Sequence, residues 1–268
     1  MRKLIGIIFF IITFLSLLCA QEADSLIIKK VDSLIQVSRN LTSKNDFEKA
    51  LEVNAIAENL ALEYFGHDSE PYGNACSNHG KILFSNNNFL ESENWYLESK
   101  SIREGTVGKE SSEYLSCLKN LANLYSTIGN YLKAEPLYIE ILKIEEIIFG
   151  KDHPDYANSL GNLAILYQDM GDLEKPESLF IECKFIVEKA LGKDHPDFAK
   201  SLNNLANFYN LLGKYDKAEH LLIEAKSIWA KALGKEHPHY AFSLLNLGNL
   251  YYRMGIFDKA EPFYLEAK

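Results

Sequence analysis

Apolar residues recur along the chain at intervals of three and four, which is the spacing of one face of an α-helix. Leu160, Leu163 and Tyr167 form such a face. Gly171 follows, where glycine can end a helix in the left-handed conformation. Asp172 can then cap a second helix by accepting a bond from a backbone N–H. The pattern therefore predicts two consecutive helices joined by a short turn.

This helix pair is repeated with a period of 42 residues. A fixed period of this size is typical of a solenoid, in which each unit packs only on its neighbours. The period is marked by five glycines: Gly66, Gly108, Gly150, Gly192 and Gly234. After a lead-in over 21–30, it predicts the units 31–72, 73–114, 115–156, 157–198 and 199–240, and a partial unit 241–268.

The motif Leu-x-x-Leu-Ala-x-x-Tyr at 160–167, followed by Gly171 and a recurring small residue, resembles the tetratricopeptide repeat. The 42-residue period, with Leu-Gly-Lys-Asp-His-Pro at 191–196, is similar to the kinesin-light-chain type. The resemblance covers 31–268 and is strongest over 115–268. It implies an all-α fold, a right-handed superhelical solenoid of antiparallel helix pairs, that binds a protein or an extended peptide in its concave groove.

Residues at other positions of the repeat are interpreted as packing contacts between helices. Small residues should let helices approach closely, and an aromatic column should staple each first helix to the preceding second helix. Leu173 is expected to point inward, and Pro176 to loosen the start of its helix. The small residues are Gly80, Ala122, Ala164, Ala206 and Gly248, and the aromatic residues are Tyr72, Tyr114, Tyr156, Phe198 and Tyr240.

The sequence predicts no metal, no cofactor and no catalytic site. His153, His195 and His237 recur in register, but helices pack about 8–10 Å apart, too far for residues one repeat apart to share a metal. They are interpreted as helix-start residues before a proline. Cys76 and Cys183 occupy core columns and are read as small buried hydrophobes.

A column of asparagines is the sharpest candidate for a binding site. Asn is a mediocre helix former, so its recurrence within five successive first helices requires a reason. A side-chain amide both donates and accepts, and can pair with any peptide backbone. Alternatively, each Asn bonds to the neighbouring repeat and belongs to the fold. We call these residues the asparagine ladder: Asn78, Asn120, Asn162, Asn204 and Asn246.

Residues one helical turn further on flank the ladder and are secondary candidates for peptide contact: Asn123, Ile165, Asn207 and Asn249. Lys119 and Lys200 are scattered, so the sequence shows no paired basic clamp for a C-terminal carboxylate.

Residues 1–20 carry a short basic start, an apolar run and a small residue before polar sequence, the pattern of a secretory signal peptide. A retained membrane anchor is the main alternative, and a lipoprotein acylated at Cys19 is a third. Each would place the repeats outside the cytoplasm, secreted, periplasmic or anchored facing outward. Without Arg2 and Lys3 the net charge falls from −9 to −11, which argues against nucleic acid as a partner.

The favoured function is a non-enzymatic binding scaffold for a protein or extended peptide. A second hypothesis is that the chain is the recognition arm of a longer protein with a C-terminal effector, such as a caspase-like protease domain of the CHAT type. A third is self-association through the uncovered edge of 241–268. These hypotheses arise because the last helix, compared with 213–234, is expected to be about half complete.

Overall fold

The computed structural model describes the backbone of residues 2–268 and the side chains of residues 23–268. Over the described residues every regular element is an α-helix, so the predicted all-α fold class is confirmed. The chain divides into two compact units, Met1–Gly129 and Asn130–Lys268. Unit 1 contains α1 (Arg2–Ser43), α2 (Phe47–Phe65), α3 (Glu70–Ser85), α4 (Phe89–Thr106) and α5 (Ser112–Thr127). Unit 2 contains α6 (Tyr131–Ile148), α7 (Pro154–Asp169), α8 (Lys175–Leu191), α9 (Pro196–Leu211), α10 (Tyr215–Leu233), α11 (Pro238–Arg253) and α12 (Phe257–Glu266).

The turns between helices use residues that tolerate left-handed backbone. Gly171 has φ of +81°, as expected for the residue that follows α7. In the first two repeats Asn45 and Asn87 take the equivalent position with φ of 60° and 61°, and asparagine is among the few side chains that accept this conformation. Asp172 accepts bonds from the backbone N–H groups of Glu174 and Lys175, which confirms its capping role.

The three recurring histidines begin helices. The Nδ1 atoms of His153, His195 and His237 each accept a hydrogen bond from the backbone N–H two residues later. A proline follows each histidine at the first helical position, where no N–H partner is needed. Among the described residues no group of three potential ligands could hold a metal ion.

Small residues bring the two helices of a repeat into contact. A Cβ on Gly80 would lie 2.6 Å from the ring of Tyr96, and one on Gly248 would lie 2.8 Å from the ring of Tyr264. The aromatic column is also packed inside, since its five members are between 1% and 8% exposed. Cys76 and Cys183 are buried as expected. Burial of this apolar surface is the main stabilising term of each repeat.

The start of α8 departs from one expectation. Helix α8 begins at Lys175, whereas α10 begins at Tyr215, which corresponds to position 173 in the repeat. Pro176 lies at the first turn of α8, and the delayed start agrees with its predicted effect. Leu173 therefore precedes the helix and is 48% exposed, so its predicted inward position is wrong.

Tyrosine–carboxylate hydrogen bonds join successive repeats in register. Tyr125 donates to Glu93 in unit 1. In unit 2 the same bond joins tyrosines to glutamates 32 residues earlier, at 2.8 Å for Tyr167–Glu135 and 2.9 Å for Tyr209–Glu177, and again for Tyr251–Glu219. The bond from Tyr209 is the largest factor that lowers the pKa of Glu177.

No helix within the described residues is long and apolar enough to cross a membrane. The side chains of residues 1–22 lie outside that description, and the predicted signal peptide or anchor at 1–20 falls within them. That prediction is therefore not tested by the structure.

Candidate functional site

The ladder lies on the first helices of successive repeats. Asn78 and Asn120 are on α3 and α5 in unit 1, and Asn162, Asn204 and Asn246 are on α7, α9 and α11 in unit 2. Each member directly precedes a position of the apolar face. At this boundary of the apolar face, the neighbouring side chains determine whether an amide is buried in the fold or exposed to solvent.

Asn78 is an integral part of the fold of unit 1. It is 1% exposed, and its Nδ2 donates to Asn54 Oδ1 at 2.8 Å and to Ser38 Oγ at 3.1 Å. Its Oδ1 accepts from Arg39 Nε at 3.1 Å. Ser38 in turn donates to the carbonyl of Ala50. A buried amide with three partners has its hydrogen-bonding capacity largely used within the protein.

The network around Asn78 continues through polar side chains. Asn54 Nδ2 donates to Glu58 Oε1 at 2.6 Å, and His79 Nδ1 lies 2.6 Å from the same oxygen. The His79 ring stacks on Trp95 at a centroid distance of 4.0 Å. The position of His79 is taken by leucine in the later repeats, so this polar core is peculiar to the first two helix pairs.

Asn120 and Asn246 use a shared bonding pattern. Asn246 is buried, and its Nδ2 donates to Asn203 Oδ1 at 2.7 Å. Asn120 is half-buried, and its Nδ2 reaches Ser77 Oγ at 3.4 Å. In both cases the partner lies 43 residues earlier, on the preceding first helix. In these two repeats a polar side chain at that position therefore binds the ladder amide.

Asn204 lacks such a neighbouring side chain. The residue 43 positions before it is Gly161, which has no side chain to offer. Asn204 is half-buried and Asn162 is exposed. Within residues 23–268 neither side chain takes part in a hydrogen bond. Of the ladder in unit 2, these two amides therefore remain free to bind another molecule.

The flanking column is accessible as well. Asn123 in unit 1 and Asn249 in unit 2 are exposed, and Asn207 is half-buried. Asn249 Oδ1 accepts from the hydroxyl of Tyr264 at 2.8 Å. In unit 2, Asn207 and Asn249 line an open pocket of about 390 Å³ together with Asn246. The other residues that line it are Gln168, Asn210, Leu211, Tyr252 and Arg253. The pocket thus offers several amide donors and acceptors and the cation of Arg253 beside an aromatic surface.

Two basic residues in the flanking column were not identified from the sequence. Lys81 is 42 residues before Asn123, and Arg39 is 42 residues before Lys81, so extending the repeat register towards the N-terminus would have found both. In unit 1 they line one pocket of about 590 Å³ with Asn78, Asn120 and Asn123. Desolvation, followed by the charge of Arg39, lowers the pKa of Lys81.

The two interpretations of the ladder thus apply to different members. Asn78 and Asn246 bond within the fold, Asn120 makes a long bond at the surface, and Asn162 and Asn204 have no partner among the described side chains. A binding role for the ladder and its flanking residues remains a prediction.

Comparison with known proteins identifies the family. The family model described as tetratricopeptide repeat matches residues 72–144, 114–183 and 197–268, which together exceed half of the chain. The chain therefore belongs to the tetratricopeptide repeat family. A comparison with curated proteins finds no match.

Solved structures agree with this fold. A Podosopora anserina kinesin-light-chain-type protein with nearly identical TPR-like repeats has 20% identity and a TM-score of 0.67, over 77% of this chain and 98% of that one. BtubC (BKLC) from P. vanneervenii has 21% identity and a TM-score of 0.63, over 90% of this chain and 87% of that one. NprR in complex with its cognate peptide NprX has 13% identity and a TM-score of 0.63, over 88% of this chain and 66% of that one. The likeness to kinesin-light-chain-type repeats is therefore one of fold.

Proposed function

We propose that this chain is a non-enzymatic scaffold that binds an extended peptide along the first helices of its repeats. The observation that carries the proposal is the pair Asn162 and Asn204, two amides in register on α7 and α9 that have no partner among the described residues. Asn is unfavourable within a helix, and no hydrogen bond to another described side chain compensates for it at these two positions.

The spacing of these amides suits a peptide backbone. Neighbouring helices pack about 8–10 Å apart, and an extended chain advances about 3.3–3.6 Å per residue. Successive ladder positions therefore correspond to about two to three residues of an extended ligand. Each amide can donate to a backbone carbonyl and accept from a backbone N–H, independently of the peptide sequence.

The pocket beside Asn207 and Asn249 would add selectivity. Peptide side chains that alternate away from the ladder would meet its amides and the ring of Tyr252. The complex of the fold-level neighbour NprR with a peptide supports this class of ligand.

We further propose that the scaffold acts outside the cytoplasm, on the basis of the signal-peptide pattern of residues 1–20. The intact mass of the exported protein tests this. A mature chain that begins near Gln21 is expected. A species that retains Met1 would support the anchor, and one that starts at a lipid-modified Cys19 would support the lipoprotein.

The binding proposal is tested with peptides selected from a random display library on immobilised protein. We expect Asn162→Ala combined with Asn204→Ala to weaken their binding at least about tenfold, since a net hydrogen bond contributes about 0.5–1.5 kcal/mol and several would be lost. The melting temperature should hardly change, because neither amide forms a hydrogen bond within residues 23–268.

Ser178→Ala combined with Ser227→Ala, on second helices α8 and α10, is the control and should leave binding unchanged. Equal affinities for the ladder variant and the parent protein would refute the ladder as the binding surface. A large fall in melting temperature of the ladder variant would show that these amides belong to the fold.

A further inference from the structure

The start of α11 differs from the starts of α7 and α9. In all three helices a histidine Nδ1 accepts a hydrogen bond from the backbone N–H two residues later. In α11 that later residue is His239, whose N–H donates to His237 Nδ1 at 3.2 Å, and the two rings are 5.0 Å apart. In α7 and α9 it is an aspartate whose carboxylate lies beside the histidine Nδ1, at 3.8 Å for His153–Asp155 and 3.7 Å for His195–Asp197.

The hydrogen bond at the start of α11 requires a neutral His237. Nδ1 accepts from a backbone N–H through its lone pair, whereas both nitrogens of a protonated ring are donors. Protonation therefore removes the cap and leaves a backbone N–H at the helix start without its acceptor. The helix dipole opposes the new charge as well, because its positive end lies at the N-terminus. Histidine ordinarily changes charge between about pH 5 and 8, so mild acid breaks this bond.

The aspartates offset this loss in α7 and α9. A protonated histidine can donate to the carboxylate of Asp155 or Asp197 instead of accepting the backbone N–H, and such a charged hydrogen bond is a strong one. An acidic side chain in the first turn also interacts favourably with the helix dipole. In α11 that position holds a second histidine, and protonated His239 repels protonated His237. We therefore expect the response to acid to be concentrated in α11.

The groups nearest to this start do not replace the missing acid. Within residues 23–268 neither His237 nor His239 forms an ion pair. From α10, the ring of Trp229 stacks on that of His239 at a centroid distance of 5.4 Å. In the turn itself, Lys235 and Glu236 carry opposite charges that balance each other. The turn and α10 thus bring no net negative charge to the two histidines.

The carboxylates of the other two packed helices already have partners. From α12, Glu266 Oε1 accepts from the hydroxyl of Tyr240 at 2.6 Å. From α9, Asp197 lies beside His195 of its own helix start. Protonated His237 therefore has no free carboxylate to bind, unlike its counterparts in α7 and α9.

We propose that His237 and His239 form a pH-sensitive switch that holds the start of α11 at neutral pH and releases it in mild acid. The folded helix start binds the neutral ring, so its contribution to stability is present at neutral pH and above. That contribution is lost as the pH falls through the range in which histidine takes up a proton. Because α11 carries Asn246 and Asn249, its release would also weaken a peptide bound along the first helices. This consequence rests on the function proposed above, whereas the switch does not.

Hydrogen exchange followed by mass spectrometry measures the release of each helix. Peptides from α7, α9 and α11 are compared at about pH 7.5 and about pH 5.5, which span the histidine range. Division by the intrinsic exchange rate at each pH gives the population of open helix. We expect that population to rise at least about fivefold in acid for α11, as loss of an N-cap typically produces, and less than about twofold for α7 and α9. Equal responses of the three helices, or none in α11, would overturn the proposal.

Exchanging the residue two positions after the histidine tests the cause. His239→Asp gives α11 the pattern of α7 and α9 and should remove its excess response. Asp197→His should transfer the acid response to α9. His237→Asn supplies a cap that does not titrate and should make α11 insensitive to acid. His220→Asn, at an exposed histidine of α10, is the control and should leave the response of α11 unchanged.

The variants separate the switch from its effect on binding. A full acid response of α11 in both His239→Asp and His237→Asn would show that other groups cause it and would refute the switch. The affinity of the selected peptides is measured at the same two pH values. Acid release of α11 without any loss of peptide affinity would retain the switch and refute its link to binding.

Discussion

The same substitution at two positions of one column should have opposite consequences. Asn78 and Asn204 are equivalent in the repeat, but Asn78 has three partners inside unit 1 and Asn204 has none among the described residues. We predict that Asn78→Ala lowers the free energy of unfolding and that Asn204→Ala leaves it unchanged. The comparison removes helix propensity as a variable, because the host position and the replacement are the same.

The magnitude follows from what the partners lose. After Asn78→Ala, Ser38 keeps its bond to the carbonyl of Ala50, and the exposed Arg39 can be hydrated. Asn54 is 0% exposed, and its Oδ1 loses its donor. Leaving a buried acceptor unsatisfied costs about 1–3 kcal/mol, and losing a net hydrogen bond costs about 0.5–1.5 kcal/mol. We therefore expect Asn78→Ala to lower the free energy of unfolding by about 2–4 kcal/mol. Asn204→Ala should stay within about 0.5 kcal/mol, as surface substitutions usually do.

Each unit has its own reporter for the measurement. Trp95 lies in unit 1 and Trp229 in unit 2, and the chain has no other tryptophan. Urea unfolding followed by fluorescence in a Trp229→Phe background reports unit 1, and the Trp95→Phe background reports unit 2. Separate reporters are needed because repeat arrays need not unfold as one cooperative unit.

A loss below about 0.5 kcal/mol for Asn78→Ala would show that its network does not stabilise unit 1, since that is the range of a neutral surface change. A loss for Asn204→Ala comparable with that of Asn78→Ala would refute the division of the ladder into structural and free members.

Two further predictions concern packing and pH. Gly80→Ala should destabilise unit 1 by about 1–3 kcal/mol, because the new Cβ would lie 2.6 Å from the buried ring of Tyr96; the control Gly161→Ala, whose nearest contact is at 3.5 Å, should stabilise by about 0.5–1 kcal/mol. Equal changes in the free energy of urea unfolding for Gly80→Ala and Gly161→Ala would show that contact with Tyr96 does not decide the effect. Tyr209→Phe should cost about 1 kcal/mol through the lost bond to Glu177. That bond lowers the folded-state pKa of Glu177, so its contribution is present above the ordinary glutamate pKa and is lost as pH falls through the lower folded value. The urea midpoint of the parent protein should therefore fall more steeply than that of Tyr209→Phe on acidification below about pH 4.5. If the urea midpoints of the two proteins fell in parallel with pH, the Tyr209–Glu177 bond would not be the cause of the acid sensitivity.

The repeat architecture could be derived from the sequence alone. The 42-residue register of Gly171-type turns, small residues and His-Pro helix starts specifies helix pairs, because glycine conformation, capping and apolar periodicity are local properties. These features also predicted that Gly80 would meet its partner helix and that Cys76 would be buried. The failure at Leu173 has a local origin too, since Pro176 delays a helix that the periodicity alone would have started earlier.

The state of each asparagine was decided by tertiary structure. A ladder residue sits at the boundary of the apolar face, and its exposure depends on side chains that lie 24 to 43 positions away in sequence. Asn54 and Ser38 bind Asn78 inside the fold, and Asn203 binds Asn246. Gly161 offers Asn204 no side chain, and Asn204 has no hydrogen-bond partner in the part of the chain whose side chains are described. The repeat register of the sequence does not show which of these contacts form, because that depends on which side chains are brought together by packing.

The repeat register places Arg39 and Lys81 in one column, but only the tertiary structure shows that they line one pocket. Each residue alone reads as an exposed basic side chain on a helix, which is the commonest place for one. Their shared pocket, the orientation of Arg39 by Asn78 and the absence of a carboxylate from the pocket lining arise from packing α1, α3 and α5 together. The sequence by itself determined the repeat and its helices, and the packing of those helices determined which polar groups remain available to a ligand.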